Sequence, residues 1–122
     1  MKNLQPQEAW QFVQSQPDVL FVDVRMEIES LYVGRPPGVV NVPWYEYPEL
    51  QADPAAFAAA VTREAQDKTQ PVLLICRSGR RSMEAGRYLE KYGFPEVYNV
   101  MHGFEGDMDE ARHRCTKNGW RH

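Results

Sequence analysis

This 122-residue chain has few of the residues that build covalent or metal frameworks: two cysteines, Cys76 and Cys115, and three histidines. With no CxxC pair, neither a disulfide scaffold nor a tetrahedral zinc spacing is available, so no metal and no organic cofactor is expected, and a reducing compartment fits the cysteine usage. No run of eighteen apolar residues occurs, and Met1 to Trp10 lacks a secretory apolar stretch; the expectation is a cytoplasmic protein without membrane association. An excess of basic residues is also missing. Fourteen Lys and Arg against seventeen Asp and Glu give a net charge of -3, which argues against a nucleic-acid or general polyanion binder. Any anion chemistry must then be local. Internal repeats, low-complexity stretches and linkers are absent, so the length predicts one domain over residues 1–122, able to bury roughly two-thirds of its unfolded surface.

Two apolar runs stand out, Val19 to Val24 and Pro71 to Cys76. Neither alternates with polar residues over its length, which suits strands covered on both faces of a parallel sheet. Val97 to Val100 is a third candidate, Val39 to Val42 a short fourth, and residues around Asn3 and Leu4 a possible edge strand. Helical patterns fall between these runs. Pro6 opens Gln7 to Gln14, with Ala9, Trp10 and Val13 on one face. Asp53 before Pro54 is an N-cap and first-position signature for the Ala-rich run to about Gln66. Arg81 to Tyr92 places Ala85, Tyr88, Leu89 and Tyr92 on one face, with Gly93 where a glycine cap belongs. Gly106 to Asn118 is a fourth candidate, aligning Met108, Ala111 and Cys115. Alternating strands and helices predict an α/β sandwich with a mostly parallel sheet. Ligands of such sheets collect at the carboxyl ends of the strands.

At one such end stands Cys76-Arg77-Ser78-Gly79-Arg80-Arg81-Ser82, followed directly by a helix. From Arg77 to Arg87 four arginines and one glutamate give a local +3 within the net -3. A thiol beside guanidinium groups and at the positive end of a helix is a candidate nucleophile that needs no histidine base. An inert cysteine ending a strand is the commoner fate of a lone thiol, but it gains nothing from the arginines around it. Gly79 lets the backbone curl, so that N–H groups from Arg77 to Ser82 point at the sulfur or at what it carries. Arg77 and Arg81 are the main candidates for holding an anionic substrate, with Arg80 third.

The CRSGRRS loop, with Asp23-Val24-Arg25 after the first long strand and GRPPGVVNVP over Gly34 to Pro43, resembles the single-domain rhodaneses, which are sulfurtransferases. The resemblance implies a three-layer α/β/α sandwich with a mostly parallel five-stranded sheet and a cysteine, here Cys76, that carries a persulfide. It assigns Asp23 and Arg25 a supporting role. An ion pair or loop cap, with Glu29 as a further member, is an equally good reading of those two residues. Some positions depart from the family pattern: Arg35-Pro36 replaces a common His-Ile, Val39 a common Ala, and Met101-His102-Gly103 a frequent Gly-Gly. Cysteine phosphatases share such an anion loop but need five residues between Cys and Arg, whereas four separate Cys76 from Arg81. The shorter loop favours a sulfur atom over a phosphoryl group. Two other functions remain as rivals: a relay module that takes sulfur from a protein partner, and a phosphatase or arsenate-reducing relative. The expected partners are a small anionic sulfur donor and a thiol or protein acceptor. Trp44, Tyr45 and Tyr47 either rim the pocket or pack in the core, core packing being favoured; His102 reads as a surface or core histidine and Cys115 as a packing residue.

Overall fold

The computed structural model describes residues 1–46, 49–106 and 119–120. Five strands form one sheet: β1 (Lys2–Leu4), β2 (Leu20–Asp23), β3 (Val40–Asn41), β4 (Val72–Ile75) and β5 (Val97–Val100). Their order is β1-β5-β4-β2-β3, and every adjacent pair is parallel. Four helices connect them: α1 (Pro6–Ser15), α2 (Glu27–Val33), α3 (Pro54–Glu64) and α4 (Arg80–Tyr92). The expected fourth helix, with Cys115, falls on residues 107–118, outside the described residues, as does Tyr47.

The unbroken apolar runs have their cause in this topology. Successive strand residues point to opposite faces, and both faces are covered. Leu20, Val22, Val72, Leu74 and Cys76 join Phe57, Ala58 and Val61 of α3 and Ala85 and Leu89 of α4 in one core. Phe21, Leu73, Ile75 and Val100 join Ala9 of α1 and Phe104 in the other. These are the two outer layers of an α/β/α sandwich around one sheet.

Local signals set the helix ends. The Asp53 carboxylate accepts the Ala56 backbone N–H at 3.1 Å, with Pro54 in the first turn, as an N-cap should. At the end of α4, Gly93 takes a left-handed φ of 112°, and the Phe94 N–H closes back on the Leu89 carbonyl at 3.0 Å. Phe94 is thereby delivered into the core, which is the glycine-terminated cap with its hydrophobic contact.

The sequence reading needs two corrections here. First, residues 27–33, where the sequence patterns above place no element, form α2. Its Ile28, Leu31 and Tyr32 are 57%, 60% and 83% exposed, so no apolar stripe faces the core, and the turn is held by the Glu29 carboxylate accepting the Met26 N–H at 3.0 Å. Second, α4 buries Ser82, Ala85, Gly86 and Leu89; Tyr92 is exposed, with Tyr88 stacked against it. Small residues face the sheet because α4 packs closely on β5 and β4, and a polar one, Ser82, goes in with them.

Candidate active site

Cys76 follows the last residue of β4 and is buried. The chain then turns through Gly79, which has a φ of 98° and stands at the N-cap of α4. A side chain there is strained by the left-handed conformation and crowded as well, since a Cβ would lie 3.2 Å from the His102 backbone nitrogen. The turn directs the Gly79 N–H onto Cys76 Sγ at 3.0 Å. From the first turn of α4, Ser82 Oγ reaches the same sulfur at 3.3 Å. Two loop residues named from the sequence, Gly79 and Ser82, thus meet at the thiol.

A second segment fixes the loop from the other side. The turn after β5 donates backbone N–H groups into it: Phe104 to the Cys76 carbonyl at 2.7 Å, and Glu105 and Gly106 to the Arg77 carbonyl at 2.9 and 3.2 Å. Gly103 permits this approach, because a Cβ there would collide with the Cys76 and Arg77 backbone. His102, which stands in place of one glycine of the family's pair, takes a left-handed φ of 64°. His102 and Gly103 are thus two successive left-handed residues, a conformation that glycine takes more readily than histidine.

The three arginines have different surroundings. Arg77 and Arg80 are exposed and make no ion pair among the described residues. Arg81, expected to hold the donor, instead gives both terminal nitrogens to Glu29, at 2.7 and 3.0 Å, with its guanidinium over the Tyr45 ring. Burial opposes the charge on each partner. The Arg81 hydrogen bonds and charge outweigh that cost and lower the pKa of Glu29, with help from the Met26 N–H and the charge of Arg77. For Arg81, likewise, burial is outweighed by the bonds and charge of Glu29, with smaller contributions from Tyr45 and Cys76, and its pKa rises.

Glu29 is therefore no partner of the Asp23 and Arg25 pair, which closes on itself. Arg25 Nε and Nη2 reach the Asp23 carboxylate at 2.9 and 2.7 Å, and Nη2 also donates to the Gly34 carbonyl at 2.6 Å. Both side chains are fully buried. Nη1 has no hydrogen-bond partner; the guanidinium lies 4.6 Å from the Phe104 ring centroid, where the ring face compensates part of its charge. These residues brace the loop around α2 and do not meet the sulfur. Trp44 is core, against Phe57 and Tyr88, with its indole N–H on Glu84 at 3.3 Å.

Sequence reasoning missed Asn99. It lies on the α4 face of β5, buried, and its Oδ1 accepts from Ser82 Oγ. The available signal was a polar residue in register with inward-facing Val97. Beside this network a cavity of about 340 Å³ opens, lined by Asn3, Asn99, Gly79, Arg80, Met83 and His102 among others.

A parallel five-stranded sheet with a buried cysteine in an arginine-bearing loop at the end of its central strand places the chain among α/β domains with a strand-end cysteine loop. The comparisons narrow that class. Residues 5–110 match the Rhodanese-like domain model, and the chain belongs to that family, whose members include sulfurtransferases. It is 34% identical over 86 residues to a rhodanese domain-containing protein, CG4456, of Drosophila melanogaster, covering 70% of this chain and 78% of the relative. It is 30% identical over 101 residues to the thiosulfate sulfurtransferase GlpE of Glaesserella parasuis serovar 5, covering 83% and 81%. The crystal structure of Rv0390 from M. tuberculosis matches with a TM-score of 0.84 at 34% identity, covering 99% of this chain and 92% of that one. Among the described residues no helix is long and apolar enough to cross a membrane, and no cluster of His, Cys, Asp and Glu has the makings of a metal site.

Proposed function

We propose that the protein is a sulfurtransferase that moves a sulfane sulfur from thiosulfate, or a similar anionic donor, to a thiophilic acceptor through a persulfide on Cys76. The observation that carries this reading is the sulfur itself: buried at the end of β4, with the Gly79 N–H and the Ser82 hydroxyl on it. In the first half-reaction the Cys76 thiolate attacks the outer sulfur of thiosulfate. The S–S bond of the donor breaks, sulfite leaves with the bonding electron pair, and a Cys76 persulfide anion remains. In the second, cyanide or a thiolate attacks the terminal sulfur and the Cys76 thiolate leaves. Charge and atoms balance without an external oxidant, and the two steps imply ping-pong kinetics. Donors fixed in the loop act on the negative charge that the sulfur retains. The exposed Arg77 and Arg80 draw the anionic donor, while Arg81, its charge taken up by Glu29, braces the loop wall.

The decisive measurement is an intact mass of reduced protein before and after thiosulfate, and again after cyanide. One added sulfur atom on Cys76, removed by cyanide as thiocyanate, is the expected result. Cys76→Ser should reduce thiocyanate formation to background; formation at the native rate would sink the mechanism. Loading from a protein persulfide but not from thiosulfate would identify a relay. Aryl phosphate hydrolysis that depends on Cys76 would restore the phosphatase reading.

A further inference from the structure

We propose that Asn99 is a positioning residue for the nucleophile, acting through the direction of the Ser82 hydroxyl proton; this rests on Cys76 being the reactive thiol of the sulfur transfer described above. Ser82 Oγ has three acceptors around it: Cys76 Sγ at 3.3 Å, the Gly79 carbonyl at 3.2 Å and Asn99 Oδ1. A hydroxyl has one proton to give, so the three compete. The orientation of Asn99 is fixed from behind. Its side chain is 2% exposed, its Nδ2 donates to Asn3 Oδ1 at 3.1 Å, and the β1 and β5 register puts Asn3 opposite it. Oδ1 is thereby turned toward Ser82.

While the Ser82 proton rests on Asn99, Ser82 presents lone pairs to the sulfur, an arrangement that suits a neutral thiol donating its S–H. An anionic sulfur needs the reverse. The hydroxyl must rotate to donate to it, leaving Asn99 Oδ1 without that proton in a buried site. Negative charge on the sulfur therefore carries the cost of one broken hydrogen bond, and Asn99, as the competing acceptor, sets that cost. The other charged groups around the loop are Arg77, Arg80 and Arg81, Glu29 from α2, the Asp23 and Arg25 pair after β2, and His102 after β5. Substitution at Asn99 changes the charge of none of them.

The test is the pH profile of Cys76 alkylation by iodoacetamide, followed by mass spectrometry on the peptide that contains Cys76. Asn99→Ala should lower the midpoint by about half to one pH unit, the equivalent of one buried hydrogen bond. In a Ser82→Ala background the same substitution should leave the midpoint unmoved, because the proton it acts through is gone. Asn3→Ala, on the exposed edge strand, should shift the midpoint in the same direction by a smaller amount, and it decides the matter if Asn99→Ala does not fold. An unchanged or raised midpoint overturns the proposal, as does an equal shift in the Ser82→Ala background. Alkylation needs neither sulfur donor nor acceptor, so a failed sulfur-transfer assay and a failed midpoint shift are separate results.

Discussion

The carboxyl ends of β2 and β4 are neighbours in the sheet, and each is followed by arginine close to an acidic or ionisable side chain, yet the two ends have opposite characters. After β2, Asp23 and Arg25 satisfy one another almost completely, and both are closed off from water. After β4, Cys76 is met by an N–H and a hydroxyl, while Arg77 and Arg80 stand in solvent without an ion-pair partner among the described residues. A compensated pair has little field left for a ligand; an uncompensated one does. The Glu29 and Arg81 bridge joins the two ends and is intermediate in burial, with its side chains about one-eighth exposed.

The largest effect should come from breaking the closed end. Asp23→Ala leaves the Arg25 guanidinium buried without its counter-ion, and a loss of about 3 to 5 kcal/mol is expected in denaturant unfolding. A loss under about 1 kcal/mol would mean that water reaches Arg25 and that the contrast between the ends is overstated. Glu29→Gln should cost about 1 to 2 kcal/mol near neutral pH. Its pH dependence has a definite sign. The folded pKa of Glu29 lies below its ordinary value of 4.5, so the bridge contributes fully above that value and is lost as the pH falls through the lowered one. The stability difference between native protein and Glu29→Gln should shrink with acidification over that window; a difference that grew would contradict the assignment. At the open end, Arg77→Ala and Arg80→Ala should each change stability by less than about 0.5 kcal/mol. Their expected effect is a severalfold rise in KM for thiosulfate that diminishes with added salt, and equal KM values in low salt would remove them from donor binding.

What the sequence made legible follows from how far each signal reaches. The three longest strands, β2, β4 and β5, and α4 are written in local runs and caps, and the cysteine loop in the density of arginine after Cys76 with Gly79 inside it. Interactions between distant segments left no such mark. Glu29 and Arg81 are 52 residues apart, and Asn99 meets Ser82 only because β5 and α4 are neighbours. The exposed apolar residues of α2 hid that helix, since a pattern reading assumes that Ile28 and Leu31 seek the core. The buried face of α4 was misplaced toward its tyrosines for the same reason: large apolar residues were expected inward, and close contact with the sheet selected small ones.

The bonds from Phe104, Glu105 and Gly106 to the Cys76 and Arg77 carbonyls are made by backbone alone. The Cys76 loop is thus held on this side by main-chain atoms, and side chains enter only through Gly103, which allows the close approach, and Phe104, which packs in the core. A change of side chain at Glu105 can therefore alter the charge beside the sulfur while leaving its backbone contact to Arg77 in place.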